Sequence, residues 1–172
     1  MDKVTRTIVS LSDLLALETS RIMEGEKHLA EVLPGWIQQV TSPKLRHILN
    51  QYLEYIRHHE QEMVNYFILQ CAMPAEGENR VIKALVEEAN EKLGSCADHE
   101  IYDACLLASV QEINHFKISV YGTVTAFFNA LGESKPAAIF HKAEKDEKRI
   151  DEQLSFQADL DINELARAPV IK

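Results

Sequence analysis

The sequence predicts an all-α protein in which four long helices form a bundle and one further helix is short. Apolar residues recur every three or four positions along most of the 172 residues, and no segment shows the alternation of a β-strand. Most of the six Gly and five Pro lie between the periodic segments, as in a helical protein. A chain of this length fits one domain. We expect that domain at residues 12–158, with an N-terminal arm at 1–11 and a C-terminal tail at 159–172.

Capping signals mark the first two long helices. Ser10 precedes an apolar stripe that predicts a helix over residues 11–40, although the proline and glycine at 34–35 should kink or interrupt it. Ser42 followed by Pro43 is typical of a helix start, because proline fits the first turn. The second stripe then continues to about residue 71.

A short helix and two more long helices follow. The segment 78–93 has one apolar face, and Gly94 should end it in the left-handed conformation. Asp98 should cap the third long helix, which should end at Gly132. Ser134, with a proline two positions later, should start the fourth long helix.

The order of these helices predicts a crossover. The connection between the second and third long helices contains the short helix and is long enough to run the length of the bundle. This is the ferritin-like topology rather than a simple up-down-up-down arrangement. Apolar periodicity is lost after Ala158, so the tail should be loosely held or should pack on a partner.

Charge and cysteine content argue against several classes of protein. A formal net charge of −9 disfavours binding to nucleic acid or to acidic membranes, which require a basic patch. The three cysteines form no CxxC pair, which argues against a disulfide framework or a structural zinc site and favours a reducing compartment. The N-terminus does not resemble a signal peptide, and the apolar runs are too short for a membrane span. We therefore expect a cytoplasmic protein.

Several polar residues fall on helix faces that should point inward. Glu26, His59, Asn114, Lys117 and Glu147 each lie about one helical turn from apolar residues of the same stripe. Carboxylates and imidazoles that face the centre of a bundle are typical ligands of di-metal centres. The alternative for any one of them is a side chain beside the stripe that reaches water. Their occurrence on different helices favours an internal polar site.

A second candidate pattern lies on the third long helix. Glu112 and His115 have the E-x-x-H spacing that places a carboxylate and an imidazole on one helix face. The second helix should supply a matching motif, but Glu54 is followed at that spacing by Arg57. The simpler interpretation of Glu112 is a solvent-facing acid.

Four segments together resemble a known family. They are Glu26-Lys27-His28-Leu29, the sequence ALVEEANE at 84–91, the segment 103–123, and Asp146-Glu147-Lys148 with Asp151 and Leu154. In these segments the chain is similar to the YciE/YciF family of ferritin-like proteins, over roughly residues 12–158. The resemblance implies a four-helix bundle that pairs into homodimers. It also implies a stress-associated role without an assigned biochemical activity.

The resemblance maps the central carboxylates of the family onto this chain. Two of them are kept, as Glu26 and Glu147, and Asp151 lies one turn beyond Glu147. Three positions lack the expected acid and carry Tyr55 (with His59 one turn later), Asn114 and Lys117. One of the missing acids is therefore replaced by a cation.

We expect a degenerate metal site in a non-catalytic, stress-associated structural protein that needs no cofactor. Lys117 would supply the positive charge that the metal supplies in relatives and would pair with Glu26 and Glu147. Tyr55, His59 and Asn114, as polar residues of the core, would then provide hydrogen bonds.

Three alternatives remain. The first is a di-metal protein of the rubrerythrin and ferritin-like class, an oxidase or a peroxide-handling protein that binds iron or manganese through Glu26, His59, Glu112, His115 and Glu147. The second is a single metal ion held by Glu26, His59 and Glu147. The third is a signalling bundle with His115 as a phosphoacceptor.

A homodimer, the partner that we expect, needs a face outside the bundle core. Candidates for that face are Trp36, Ile37, Val40, Val81 and Leu85, which could equally cover the ends of the bundle. The sequence predicts no nucleic-acid or membrane partner and no particular substrate.

Overall fold

The computed structural model describes residues 7–74 and 77–167, and every regular element within them is helical. The five main helices are α1 (Leu11–Gln39), α2 (Pro43–Leu69), α3 (Arg80–Gly94), α4 (His99–Ala130) and α5 (Ser134–Gln157). A π-helical turn, Ala158–Ile162, and one turn of helix, α6 (Asn163–Leu165), follow α5. The predicted all-α bundle, with a short helix between the second and third long helices, is confirmed.

The contacts at the two ends of the bundle show that α2 and α4 run in the same direction. At one end, the Asp103 carboxylate of α4 accepts hydrogen bonds from Thr41 and Ser42, which precede α2. At the other end, the ring of Tyr66 in α2 lies edge-on to Phe128 of α4, with ring centroids 5.5 Å apart. Helices that run in the same direction need a connection that returns along the bundle. The segment that contains α3 provides it, as the sequence predicts.

Two helical hairpins make up the bundle. α1 packs most extensively on α2, and α4 packs most extensively on α5. Each long helix contributes apolar side chains that are 0% exposed, among them Ile22, Leu49, Ile56, Leu106, Val124 and Ile150. Burying one such side chain contributes about 1.5–3 kcal/mol relative to leaving it in water. The apolar stripes therefore hold the two hairpins together.

Side-chain caps begin three of the long helices where the sequence indicates them. Ser10, Ser42 and Asp98 accept hydrogen bonds from the backbone N–H three residues later, at 3.1, 3.3 and 2.9 Å. After α4, Gly132 has a φ of 77°, a left-handed conformation that glycine adopts readily. The N–H of Glu133 then donates to the Phe128 carbonyl at 2.9 Å, which closes the helix end.

Of the kink or interruption that the sequence predicts at Pro34, the interruption is not present. α1 continues without a break from Leu11 to Gln39, with Pro34 inside it. Proline removes the hydrogen bond that its own N–H would donate, and its ring crowds the carbonyl four residues earlier. The flanking residues Leu33, Trp36 and Ile37 are buried in the bundle, so their packing outweighs this loss.

Two other helix ends differ from the prediction. Gly94 is the last residue of α3 and is not left-handed, because Ser95 and Cys96 close the helix with hydrogen bonds to carbonyls three residues back. Ser134 is the first residue of α5 rather than its cap, since Glu133 occupies the cap position without a side-chain hydrogen bond.

The part of the predicted tail that the structure describes is helical and packs on the chain itself. The π-helical turn extends α5, and Ile162 within it is 2% exposed. Burial of this side chain holds the π-helical turn against the bundle, so this part of the tail is not loosely held. Residues 1–6 of the predicted arm and 168–172 of the tail lie outside the described residues.

Three of the five candidate dimer residues belong to the core. Trp36, Ile37 and Val40 are buried within the chain, and the Trp36 indole N–H donates to Asn90 Oδ1 of α3 at 2.8 Å. They cover the end of the bundle and are not available to a partner. Val81 is exposed and Leu85 is partly buried.

Within residues 7–74 and 77–167, none of the helices combines the length and the apolar character of a membrane span.

A glycine in α1 allows the start of α3 to approach closely. A Cβ atom on Gly25 would overlap Ile82 Cδ1 and would lie 3.1 Å from Asn79 Nδ2. We therefore expect Gly25→Ala to lower the free energy of unfolding by about 1–3 kcal/mol, because overpacking outweighs the better helix propensity of alanine. Urea unfolding measures this difference.

Gly35 provides the matched control, because it lies in the same helix and a Cβ atom added to it would meet nothing within 4 Å. Gly35→Ala should raise the free energy of unfolding by about 0.5–1 kcal/mol through helix propensity alone. Equal effects of the two substitutions would contradict the proposed close contact.

Candidate functional site

Lys117 lies at the centre of the bundle between two acids from other helices. Its Nζ is 2.8 Å from Glu26 Oε2 of α1 and 2.7 Å from Glu147 Oε1 of α5. All three side chains are 0% exposed. The inward face of α4 places Lys117 here, because Ile113, Asn114 and Tyr121 on the same face are also buried. We call Glu26, Lys117 and Glu147, their hydrogen-bonding neighbours Tyr52, Asn114 and Tyr121, and the adjacent His59 the buried ion-pair cluster.

The hydroxyl of Tyr52 links the cation to one of the acids. Lys117 Nζ donates to the Tyr52 hydroxyl oxygen at 3.2 Å, and it lies 4.7 Å from the centroid of the same ring. The Tyr52 hydroxyl in turn donates to Glu147 Oε2 at 3.0 Å. The ammonium is thus surrounded by two carboxylates, a hydroxyl oxygen and an aromatic face, all of which stabilise positive charge.

Asn114 fixes the orientation of Glu147. Its Nδ2 donates to Glu147 Oε2 at 2.7 Å and to the Glu147 backbone carbonyl at 3.0 Å. Glu147 Oε2 accepts from Tyr52 as well, which leaves Oε1 to face Lys117. Side chains of two other helices therefore contact both oxygens of this buried carboxylate, Oε2 through hydrogen bonds and Oε1 through the ion pair.

Glu26 has a different set of neighbours. The Tyr121 hydroxyl donates a short hydrogen bond to Glu26 Oε1, and His59 Nδ1 lies 3.4 Å from the same oxygen. The His59 ring is 4% exposed, and its Nε2 is 3.5 Å from Asp146 Oδ2. Each acid of the cluster is therefore held by Lys117 and by at least one tyrosine.

Burial and charge shift the pKa values of the cluster in a consistent pattern. Burial opposes the charged form of Lys117, but the charges of Glu147 and Glu26 raise its pKa above the usual range. Burial would raise the pKa of Glu26, yet Lys117 and His59 outweigh burial and lower it. For Glu147, burial and repulsion by Glu26 prevail over Lys117 and raise its pKa. Lys117 therefore stays positive at neutral pH.

Both tyrosines of the cluster remain neutral donors. Burial, followed by the negative charge of Glu147, raises the pKa of Tyr52 well above its usual value. Burial and Glu26 do the same to the pKa of Tyr121. A neutral hydroxyl can donate to a carboxylate, which a phenolate cannot do.

The cluster contains possible metal ligands but does not fit a di-metal centre. Glu26, His59 and Glu147 offer ligand atoms within 4.8 Å of one another. The Lys117 ammonium, however, already contacts both carboxylates at ion-pair distance. Two divalent ions carry four positive charges, which two carboxylates cannot neutralise, and the ammonium would repel them. The donor set suits one ammonium.

The other predicted metal ligands lie at the surface. His115 Nε2 is 2.8 Å from Asp151 Oδ1, and both side chains are reached by solvent. Glu112 is exposed and pairs with Lys92 at 3.4 Å. The E-x-x-H face of α4 points away from the bundle axis, because Ile113, Asn114 and Lys117 occupy the inward positions. Asp151, Glu112 and His115 are not part of the cluster.

Tyr55 also lies outside the cluster. Its hydroxyl accepts hydrogen bonds from Gln51 and Arg149 at the surface, and its ring stacks on His59 with centroids 6.2 Å apart. The tyrosine of α2 that reaches the centre is Tyr52, one turn earlier. Helical periodicity places Tyr52 and Tyr121 on the inward stripes as core residues, and their hydroxyls need partners when buried.

Comparisons with known proteins identify the family. The structure belongs to the class of helical bundles, with two hairpins around a buried ion pair. The family described as "Domain of unknown function (DUF892)" matches residues 10–167. The chain belongs to this family. It is 26% identical over 166 residues to the protein YciF of Escherichia coli K12, across 91% of this chain and 95% of that protein. The resemblance seen in the sequence is thereby confirmed.

Two solved structures share the fold. One is described as YcfI, a putative structural protein from Rhodopseudomonas palustris; it is 27% identical, with a TM-score of 0.84 over 89% of this chain and 98% of that chain. The other is the crystal structure of the E. coli stress protein YciF, with a TM-score of 0.85 over 91% of this chain and 99% of that chain. Because that protein is 24% identical to this chain, the likeness supports the fold alone.

Removing the central cation should destabilise the bundle strongly. Lys117→Met leaves two buried carboxylates without a counter-charge, so we expect the free energy of unfolding to fall by about 3–5 kcal/mol near neutral pH. In the variant, uncompensated burial raises the folded-state pKa values of both acids above their unfolded values. Stability should then fall as pH rises, and the deficit should be smaller at about pH 5 than at about pH 8. Urea unfolding in the presence of EDTA measures both effects.

Two controls accompany this variant. Lys145→Met removes an exposed lysine from α5 and should change stability by less than about 0.5 kcal/mol. The triple variant Lys117→Met, Glu26→Gln, Glu147→Gln removes all three charges and should recover part of the loss. A Lys117→Met variant as stable as Lys145→Met would contradict the role of the ion pair.

Proposed function

We propose that this protein is a non-catalytic structural protein of the stress response, and that Lys117 takes the place of metal charge at the centre of its bundle. The E. coli relative is described as a stress protein, and the R. palustris relative as a putative structural protein. These descriptions support the physiological part of the proposal. We include a cytoplasmic location in it, supported by the three free cysteines, of which Cys71 is exposed.

One observation carries the proposal: the Lys117 ammonium is within 2.8 Å of Glu26 Oε2 and 2.7 Å of Glu147 Oε1, with no exposure to solvent. An ammonium supplies one positive charge at a fixed position and cannot change oxidation state. The acids that would otherwise bind a metal neutralise this charge instead. The bundle can then keep a polar centre without iron or manganese.

The state of these groups supports a structural rather than a catalytic role. General acids and bases work best when their pKa lies near the working pH. In the cluster, the pKa of Lys117 lies above its usual range and the pKa of Glu26 is lowered, so both are shifted away from neutral pH, whereas burial raises the pKa of Glu147. Glu26, Lys117 and Glu147 are also closed off from solvent. Each group therefore stabilises the others instead of exchanging protons with a substrate.

A second candidate function is a single-ion site on Glu26, His59 and Glu147. The mutual approach of their ligand atoms within 4.8 Å favours it. It would require Lys117 to leave its position or to lose its proton, and the two acids oppose both changes. We regard it as the outcome that would replace our proposal.

Metal analysis separates the two candidates. Protein purified without chelator should contain iron and manganese far below one equivalent per chain, and its melting temperature should not change with added Mn²⁺ or EDTA. Lys117→Met should gain affinity for divalent ions, because the same three ligands lose their counter-charge. Its melting temperature should then rise with Mn²⁺ and return with EDTA.

The control for this gain is the double variant Lys117→Met, His59→Leu, which loses one ligand and should respond less to Mn²⁺. Near-stoichiometric iron or manganese in the unmodified protein, with oxidation of added Fe²⁺ by peroxide, would establish the alternative function.

The proposal includes a homodimer. Ile68 and Leu69, at the C-terminal end of α2, and Met73, four residues after it, are 68%, 79% and 90% exposed. A group of exposed apolar side chains is typical of a surface that a partner covers.

We expect Leu69→Lys to dissociate the dimer, as measured by light scattering after size exclusion. Phe156→Lys, at the other end of the bundle and equally apolar, should leave it intact; a monomeric unmodified protein would refute this part.

A further inference from the structure

A cavity of about 200 Å³ lies between α2 and α5, beside the buried ion-pair cluster. Tyr121 and Phe140 close its inner end, with ring centroids 6.2 Å apart and an angle of 45° between the rings. Both rings are 1% exposed. The cavity therefore extends from the surface to the core. His59 of the cluster is also part of its lining.

Two rows of side chains on each of these helices form the walls of the cavity. On α2, His58 and Glu62 form an outer row, and His59 and Met63 form an inner, buried row. Residues four positions apart lie above one another on a helix face, which explains the pairing.

On α5, the outer row is Ala138 and Lys142, and the inner row is Ile139 and Ala143. Alanine at 138 and at 143 leaves the space that a larger side chain would fill. The result is an apolar chamber with charged residues at its mouth.

The size of the chamber fits one ring. An apolar cavity of roughly 150 Å³ accepts benzene, so about 200 Å³ accommodates a phenyl group and one or two further carbon atoms. The chamber is smaller than the pockets of about 300–1,000 Å³ that hold drug-sized molecules. The volume therefore suits a small molecule with one aromatic ring.

The mouth carries one positive and one negative side chain from facing helices. Lys142 Nζ donates to His58 Nε2 at 3.2 Å, and Glu62 lines the same opening. Within the described part of the chain, neither Lys142 nor Glu62 forms an ion pair, with each other or with another residue. A cation and an anion that lack ion-pair partners, on facing sides of one opening, complement a molecule that carries both charges.

We propose that this cavity binds a free aromatic α-amino acid, with its ring against Met63, Phe140 and Ala143, its carboxylate at Lys142 and its ammonium at Glu62. The ring would displace water from apolar walls, which supplies most of the affinity. The two head-group charges would fix its orientation and exclude ligands that carry only one of them. This inference does not depend on the metal content of the protein.

Three probes of matched shape test the proposal. L-phenylalanine carries both charges, 3-phenylpropionate lacks the ammonium, and phenethylamine lacks the carboxylate. We expect saturable binding of L-phenylalanine by calorimetry, with shifts of the Met63 methyl signal in NMR spectra. Each of the two analogues should bind about fivefold more weakly, which is the upper end of the effect of one exposed charge pair.

Variants locate the binding. Lys142→Met should weaken the binding of L-phenylalanine about fivefold, to the affinity that the unmodified protein has for phenethylamine. Lys145→Met, on the same helix but outside the cavity, should have no effect. Ala143→Leu fills the chamber and should abolish binding. Ala138→Phe blocks the exposed mouth without altering the core and provides the same test if Ala143→Leu does not fold.

Several results would overturn the proposal. Absence of saturable binding of L-phenylalanine would do so, as would unchanged binding in Ala138→Phe or Ala143→Leu. Binding of 3-phenylpropionate or phenethylamine as tightly as L-phenylalanine would also refute it, because one of the two charged side chains would then have no role.

Discussion

The pairing of one buried lysine with two buried glutamates is the constraint on which the rest of this structure depends. Transfer of a single charged group from water to a protein interior is opposed by several kcal/mol even after relaxation. Lys117 is tolerated at the bundle centre because Glu26 and Glu147 reach it from two other helices and Tyr52 accepts a hydrogen bond from it. The helices must therefore keep the register that brings these side chains together.

The same arrangement links the fold to the proposed function. A metal centre in a bundle neutralises carboxylates that would otherwise repel one another, and a lysine does so with a charge that belongs to the chain. The hydrogen bonds of Asn114 and Tyr121 then fix the two acids individually. A protein that carries its own counter-charge keeps a polar core regardless of metal supply, which suits a structural role under stress.

Helical periodicity predicted the fold and the centre of the cluster but not its edges. The inward positions of Glu26, Lys117 and Glu147 follow from apolar neighbours one turn away on either side, and the structure brings all three together. Tyr55 and Asp151 were expected there from the resemblance, and each lies on a flank of its helix instead. An error of one position rotates a side chain by about 100°, which is the difference between core and surface.

The remaining gaps have physical causes. Tyr52 and Tyr121 have mainly apolar rings, so a hydropathy pattern treats them as core residues and gives no sign of the hydroxyl partners that they find in space. The cavity between α2 and α5 arises from Ala138 and Ala143, whose small size becomes visible only when the facing helix is placed. Contacts between helices that are distant in sequence decide both features.

Because the bundle is built from two hairpins, its central ion pair affects how the chain folds. Lys117 and Glu147 belong to the α4–α5 hairpin, whereas Glu26 and His59 belong to the α1–α2 hairpin. Each half can collapse early through local contacts, which form faster than contacts distant in sequence. Docking the halves out of step by one turn would bury Glu26 against hydrocarbon without its cation. The charged centre therefore raises the free energy of misaligned intermediates more than a purely apolar interface would.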